Sequence, residues 1–141
     1  MPSRNASAVW NGELRDGAGK MKLGGGAYEG PYTFSSRFEE GAGTNPEELI
    51  AAAHAGCFSM FLSKVLAEAG HAPESIETTA TAHLTKDEVG FAISRIDLRT
   101  VGQVAGVSGD EFAKHAETAK AGCPISRTLA NVEITVSATL A

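Results

Sequence analysis

The segment TNPEELIAAAHAGCFSM, residues 44–60, begins with polar residues that suit a helix start and then turns almost wholly apolar around a single thiol, Cys57. Asn45 can accept a backbone N–H, Pro46 fits the first helical position, and Glu48 stands at capping-box spacing. The pattern predicts a central helix from residue 45 to about Ala69, stopped by Gly70, roughly 36 Å long at 1.5 Å per residue. From Leu49 to Leu62 its apolar residues point in every direction. A helix apolar all round is buried all round, and one sheet shields only one side of it. A second copy of the chain is the simpler cover, with two such helices antiparallel about a two-fold axis. A monomer covered by the chain's own shorter helices is the alternative. Cys57 lies ten residues from Glu47, about 15 Å along a straight helix. Any role for Glu47 at the thiol therefore predicts a site shared between subunits.

Outward from this helix, the flanking segments read as strands. Ser7–Leu14 and Gly19–Leu23 are plausible hairpin strands, residues 24–31 a glycine-rich loop, and Tyr32–Phe38 a third, irregular strand. The glycine run lacks the spacing of a phosphate cradle. After the helix, Ile76–Lys86 alternates cleanly, residues 87–90 form a turn, and Phe91–Val104 returns. Its apolar phase shifts between Ile93 and Ile96, which predicts a bulge near Ser94. Ser108 caps a second helix with Glu111 at capping-box spacing, ending near Gly122. Pro124 opens a short third helix to about Leu129, and Val132–Leu140 closes the chain as a strand. These elements make an α+β protein, mainly antiparallel sheet with helices on one face. They form one domain over residues 1–141, with N-terminal strands in 1–40, the central helix in 45–70, and C-terminal strands and helices in 75–141.

The composition excludes several classes. A net charge of −5, without clustered Lys or Arg, disfavours nucleic acid and anionic membrane as partners. The first twenty residues show no apolar secretory run, and Leu49–Leu62 is shorter than the roughly 20 residues of a bilayer span. A cytoplasmic protein is the expectation.

Two cysteines, Cys57 and Cys123, are too few for a disulfide framework. They are either inert buried thiols or a redox or nucleophilic pair. Local electrostatics nominate Cys123 as the more acidic, since it stands at the start of a Pro-initiated helix. His54, three residues before Cys57, raises a Cys–His pair of the acyl-transfer type, but no oxyanion-hole motif accompanies it and a packed histidine is the simpler reading. His54, Cys57 and Cys123 lack the close ligand spacing of a zinc site. CPIS, residues 123–126, follows a helix rather than opening a βαβ unit, unlike a thioredoxin motif.

RFEEGAGTNPEELIAAAHAGCFSM (37–60) and the later AKAGCP (119–124) resemble the OsmC/Ohr family of thiol-dependent hydroperoxide reductases, more closely its osmotically inducible protein C branch. The resemblance runs from VWNGEL (9–14) to the final strand. It implies an intertwined homodimer, with sheets wrapped around long central helices and the active site at the subunit interface. It implies that Cys57 attacks the peroxide and becomes a sulfenic acid, and that Cys123 resolves it as an intrachain disulfide. Arg37 and Glu47 match the arginine and glutamate of the family site. No metal or other cofactor is implied; re-reduction is expected from an external dithiol such as a lipoylated protein, in defence against oxidative or osmotic stress. The physics of the roles is consistent. Apolar burial raises a thiol pKa, so a reactive Cys57 needs a cation, which Arg37 supplies if Glu47 orients it. Phe58, Phe61 and Ile125 are expected to form an oily wall favouring alkyl or lipid hydroperoxides. The non-enzymatic alternative is a dimeric hydrophobic-ligand binding protein whose cysteines are incidental.

Overall fold

The computed structural model describes all 141 residues. Its elements in chain order are β1 (Ala6–Asn11), β2 (Ala18–Leu23), β3 (Glu29–Tyr32), α1 (Phe34–Phe38), α2 (Pro46–Glu68), β4 (Ser75–Lys86), β5 (Phe91–Gln103), α3 (Gly109–Gly122), α4 (Pro124–Thr128) and β6 (Glu133–Leu140). The chain forms two compact units, Met1–Leu49 and Ile50–Ala141, each with its own three-stranded sheet.

In the first unit β1, β2 and β3 form an antiparallel meander. Trp10 pairs across with Gly19, which in turn pairs with Tyr32. A Cβ on Gly19 would collide with both rings, so glycine lets Trp10 and Tyr32 approach to 5.2 Å between centroids. Two expectations are corrected here. The loop expected over 24–31 contributes Glu29–Pro31 to a strand, and the strand expected over Tyr32–Phe38 ends at Tyr32 and becomes α1. The cause is a capping box: the Ser36 amide donates to Thr33 Oγ1 and the Thr33 amide to Ser36 Oγ, which closes a helical turn where an extended chain has no such bonds.

α2 ends as its sequence predicts. Gly70 takes φ +88°, the His71 amide reaches the Leu66 carbonyl and the Gly70 amide that of Ala67, the two bonds of a Schellman motif. By length and composition α2 could cross a bilayer, contrary to the expectation from the shorter apolar run. Four of its residues, His54, Phe58, Leu62 and Leu66, instead form one buried stripe at i, i+4 spacing.

That stripe is the floor of the second unit's core, with Ile96 and Leu98 from β5 and Phe112, Ala116, Ala119 and Cys123 from α3 and its C-terminal end. β4 and β5 are antiparallel, and the register slips at His83/Leu84 so that Ser94 has no partner. The bulge lies where the shifted apolar phase placed it. β6 lies parallel to β5, an addition to the mainly antiparallel arrangement. α3 and α4 provide the crossover that a parallel neighbour requires.

Candidate functional site

In the second unit, Cys57 projects from the middle of α2, while Cys123 closes α3 and caps α4. The fold brings their sulfurs to 2.8 Å, both as free thiols, across 66 residues of sequence. A disulfide requires about 2.05 Å between sulfurs, so closure needs a shift of less than about 1 Å. Cys123 is fully buried; Cys57 is part-exposed. Burial pushes the Cys57 thiol up, and the adjoining Cys123 thiol adds to that, whereas a hydrogen bond from the Ile125 backbone N–H pulls it down. In the contact between them, Cys123 Sγ donates to Cys57 Sγ.

Cys57 opens onto a cavity of about 630 Å³ lined by Ala53, Met60, Phe61, Lys64, Pro124 and Ile125. Phe61 and Ile125 thus stand where the sequence placed them. Phe58 does not: at i+1 from Cys57 it is turned about 100° around α2, and it is fully buried in the core. Met60 and Lys64, at i+3 and i+7 from Cys57, complete the wall on the same helix and were missed. His54 makes no hydrogen bond to either sulfur; its Nε2 lies 2.8 Å from Ser126 Oγ.

In the first unit, Arg37 and Glu47 form a forked ion pair. Arg37 Nε donates to Glu47 Oε1 and Oε2 at 3.1 and 3.3 Å, and Nη2 donates to Oε1 at 2.7 Å. The planar fork is the arrangement a carboxylate fixes best. Its support is local. Arg37 stands in the last turn of α1; Ser36 Oγ donates to the Thr44 carbonyl at 2.7 Å and Asn45 Nδ2 to the Ser36 carbonyl at 3.0 Å. Asn45 Oδ1 also accepts the Glu48 amide, the predicted N-cap, although the Glu48 carboxylate takes its hydrogen bond from Thr44 Oγ1 rather than completing a capping box. Arg37 also borders a cavity of about 220 Å³ lined mainly by Trp10, Tyr32, Phe34 and Phe38. The structure therefore assembles the four proposed catalytic residues as two pairs, one in each unit.

An α+β fold that carries two distant thiols into contact beside an apolar cavity defines a protein with a spatially vicinal dithiol. The chain belongs to the OsmC family: the model described as OsmC-like protein matches residues 39–137, a span that includes Glu47, Cys57 and Cys123. It is 46% identical over 134 residues to the peroxiredoxin OsmC of Escherichia coli (strain K12), covering 94% of this chain and 93% of that protein. It is 34% identical over 96 residues to the organic hydroperoxide resistance protein OhrA of Bacillus subtilis (strain 168), covering 66% of this chain and 65% of that one. Among solved structures, an organic hydroperoxide resistance protein from Elizabethkingia anophelis shares the fold, with a TM-score of 0.79 at 24% identity over 100% of this chain and 98% of that one.

Proposed function

We propose that this chain is a thiol-dependent peroxidase that reduces organic hydroperoxides to alcohols. The observation that carries the reading is the 2.8 Å contact between two free thiols at the edge of an apolar cavity. The relatives' names, peroxiredoxin and organic hydroperoxide resistance protein, point to the same chemistry.

The cycle needs only sulfur. The Cys57 thiolate attacks the outer peroxide oxygen, the O–O bond breaks, and the alkoxide takes a proton and leaves as the alcohol. Cys57 is now a sulfenic acid. The Cys123 sulfur attacks Cys57 Sγ, the disulfide forms and water departs. An external dithiol, such as a lipoylated protein, restores both thiols by exchange and leaves as its own disulfide. Because sulfur carries both electrons, no metal, haem or flavin is required. Phe61 and Ile125 give an alkyl chain an oily surface that hydrogen peroxide cannot exploit.

The thiolate needs a cation, since burial works against it. In this reading the chain is a homodimer, and the Arg37–Glu47 pair of one protomer serves the thiols of its partner. The guanidinium stays charged at working pH and holds the thiolate and the peroxide oxygen together. The protein acts in the cytoplasm, where its thiols are kept reducible.

One equivalent of cumene hydroperoxide added to the reduced protein tests this. Intact mass should fall by about two hydrogens per chain, with the thiol titre going to zero. Survival of both thiols in a modest excess of hydroperoxide would return the protein to the class of hydrophobic-ligand binders.

A further inference from the structure

A buried polar contact lies behind the thiol pair. His54 precedes Cys57 by three residues on α2, and Ser126 follows Cys123 by three. Residues three apart on a helix face the same way, so His54 and Cys57 both address the turn that begins at Cys123. His54 Nε2 and Ser126 Oγ meet at 2.8 Å. His54 is fully buried and Ser126 is 6% exposed, so water does not compete for the bond. With the sulfur contact and the bond from the Ile125 amide to Cys57, it ties α2 to this turn, and it joins two side chains other than the thiols.

The turn needs such a link. α4 has five residues, and no side chain caps its start. So short a helix has no stability of its own and takes its position from tertiary contacts. Yet its second residue, Ile125, donates its amide to Cys57, the one interaction that lowers that thiol's pKa. Ser126 is the next residue along. Fixing its side chain orients the peptide that aims the Ile125 N–H.

The histidine is also a costly choice for its position. The rest of its stripe is Phe58, Leu62 and Leu66, and its Nδ1 is buried without a partner. Charging the ring would strand a second N–H there, so the link is a neutral imidazole–hydroxyl pair. An apolar residue would suit the core better if packing were the only demand.

We propose that His54 and Ser126 are positioning residues of the thiol centre: their hydrogen bond locks the Cys123–Ser126 turn onto α2 and aims the Ile125 amide and the Cys123 sulfur at Cys57. The kinetic consequence rests on the peroxidase reading; the structural one does not.

Ser126→Ala, which removes a single oxygen, is the decisive variant. Iodoacetamide labelling of Cys57, resolved by peptide mass spectrometry across a pH series, should show its midpoint raised by about half a unit or more. After one equivalent of hydroperoxide, closure of the Cys57–Cys123 disulfide should slow about tenfold or more, as a small misplacement of reacting atoms predicts. Ser126→Thr keeps the hydroxyl and should restore both values. His54→Leu should match Ser126→Ala, and the double variant should be no worse than either single one, since both break the same bond. Should His54→Leu fail to fold, Ser126→Ala decides alone. A wild-type labelling midpoint together with a wild-type closure rate in Ser126→Ala overturns the proposal. Labelling needs no peroxide, so a wild-type protein inert to hydroperoxide would sink the peroxidase reading while the labelling profile still decides this one.

Discussion

Cys57 and Cys123 carry the same atom but different exposure: the first opens onto the cavity and the second is sealed in the core. The accessible sulfur is the one a hydroperoxide can reach. Cys57→Ser should therefore abolish turnover, whereas Cys123→Ser should permit one attack and leave a sulfenic acid trappable with dimedone. The reverse pattern would exchange their roles. Arg37→Ala should slow the attack by well over tenfold, the scale of losing a preorganised charge at a reacting centre. Its cost in stability should stay below about 1 kcal/mol, because its side chain is 35% exposed and surface ion pairs contribute little. Stopped-flow oxidation and urea denaturation separate the two effects, and an unchanged rate removes Arg37 from the site. At this scale the sequence was readable through motif. The resemblance named both cysteines, Arg37 and Glu47, and each is now found in contact with its expected pair member. Local electrostatics pointed to Cys123, because spacing along a chain does not reveal which thiol faces a cavity. Ser126 and the Ile125 amide were not legible, since a backbone donor leaves no signature in composition and a lone serine carries no pattern.

Elements were legible where period or punctuation was strong. α2, with its cap and its glycine stop, and the Ser94 bulge follow directly from the pattern of residues. α1 was missed because five residues are too few to show a helical period. The parallel pairing of β6 was missed because alternation assigns faces, not neighbours. Beyond the backbone ladders, a polar cluster on the face away from the core also links these neighbours. Asp97 on β5 accepts from Thr135 Oγ1 of β6 at 2.6 Å and from Arg95 Nε at 2.9 Å, and lies 2.7 Å from His83 Nε2 of β4. The Thr135 hydroxyl, then His83, then Arg95 hold its carboxyl at about 2, below its ordinary 3.8. A lowered folded pKa means the unfolded chain binds the proton first. The contribution of Asp97 is thus complete above the ordinary value and lost as the pH falls from 3.8 towards 2. Asp97→Asn should flatten the pH dependence of stability in that window, measured by urea midpoints at successive pH. An unchanged slope would show that the cluster does not couple to folding.

For the whole molecule, the open question is what covers α2. Its buried stripe, His54 to Leu66, occupies one side of the helix. At 100° per residue, Ala53, Gly56, Met60 and Ala67 cluster on the opposite side, all exposed in the single chain, Met60 at 78%. Small residues on such a face let two helix backbones approach closely, and Met60 supplies an adaptable apolar contact. This is the face on which the proposed two-fold pairing should occur, and Gly56 tests it without harming the protomer. A Cβ at Gly56 meets no atom within 4 Å in the single chain, and replacing a mid-helix glycine should favour the helix by up to about 1 kcal/mol. Gly56→Leu should therefore keep the circular dichroism of the wild type while driving paired helices apart. Light scattering should give about twice 14.6 kDa for the wild type and a mass near 14.6 kDa, or a concentration-dependent intermediate, for the variant. If Arg37 acts on the partner's thiols, peroxidase activity should fall with the dimer fraction and recover at high protein concentration. A folded Gly56→Leu that stays fully dimeric would place the interface elsewhere, and a fully active monomer would remove the shared site.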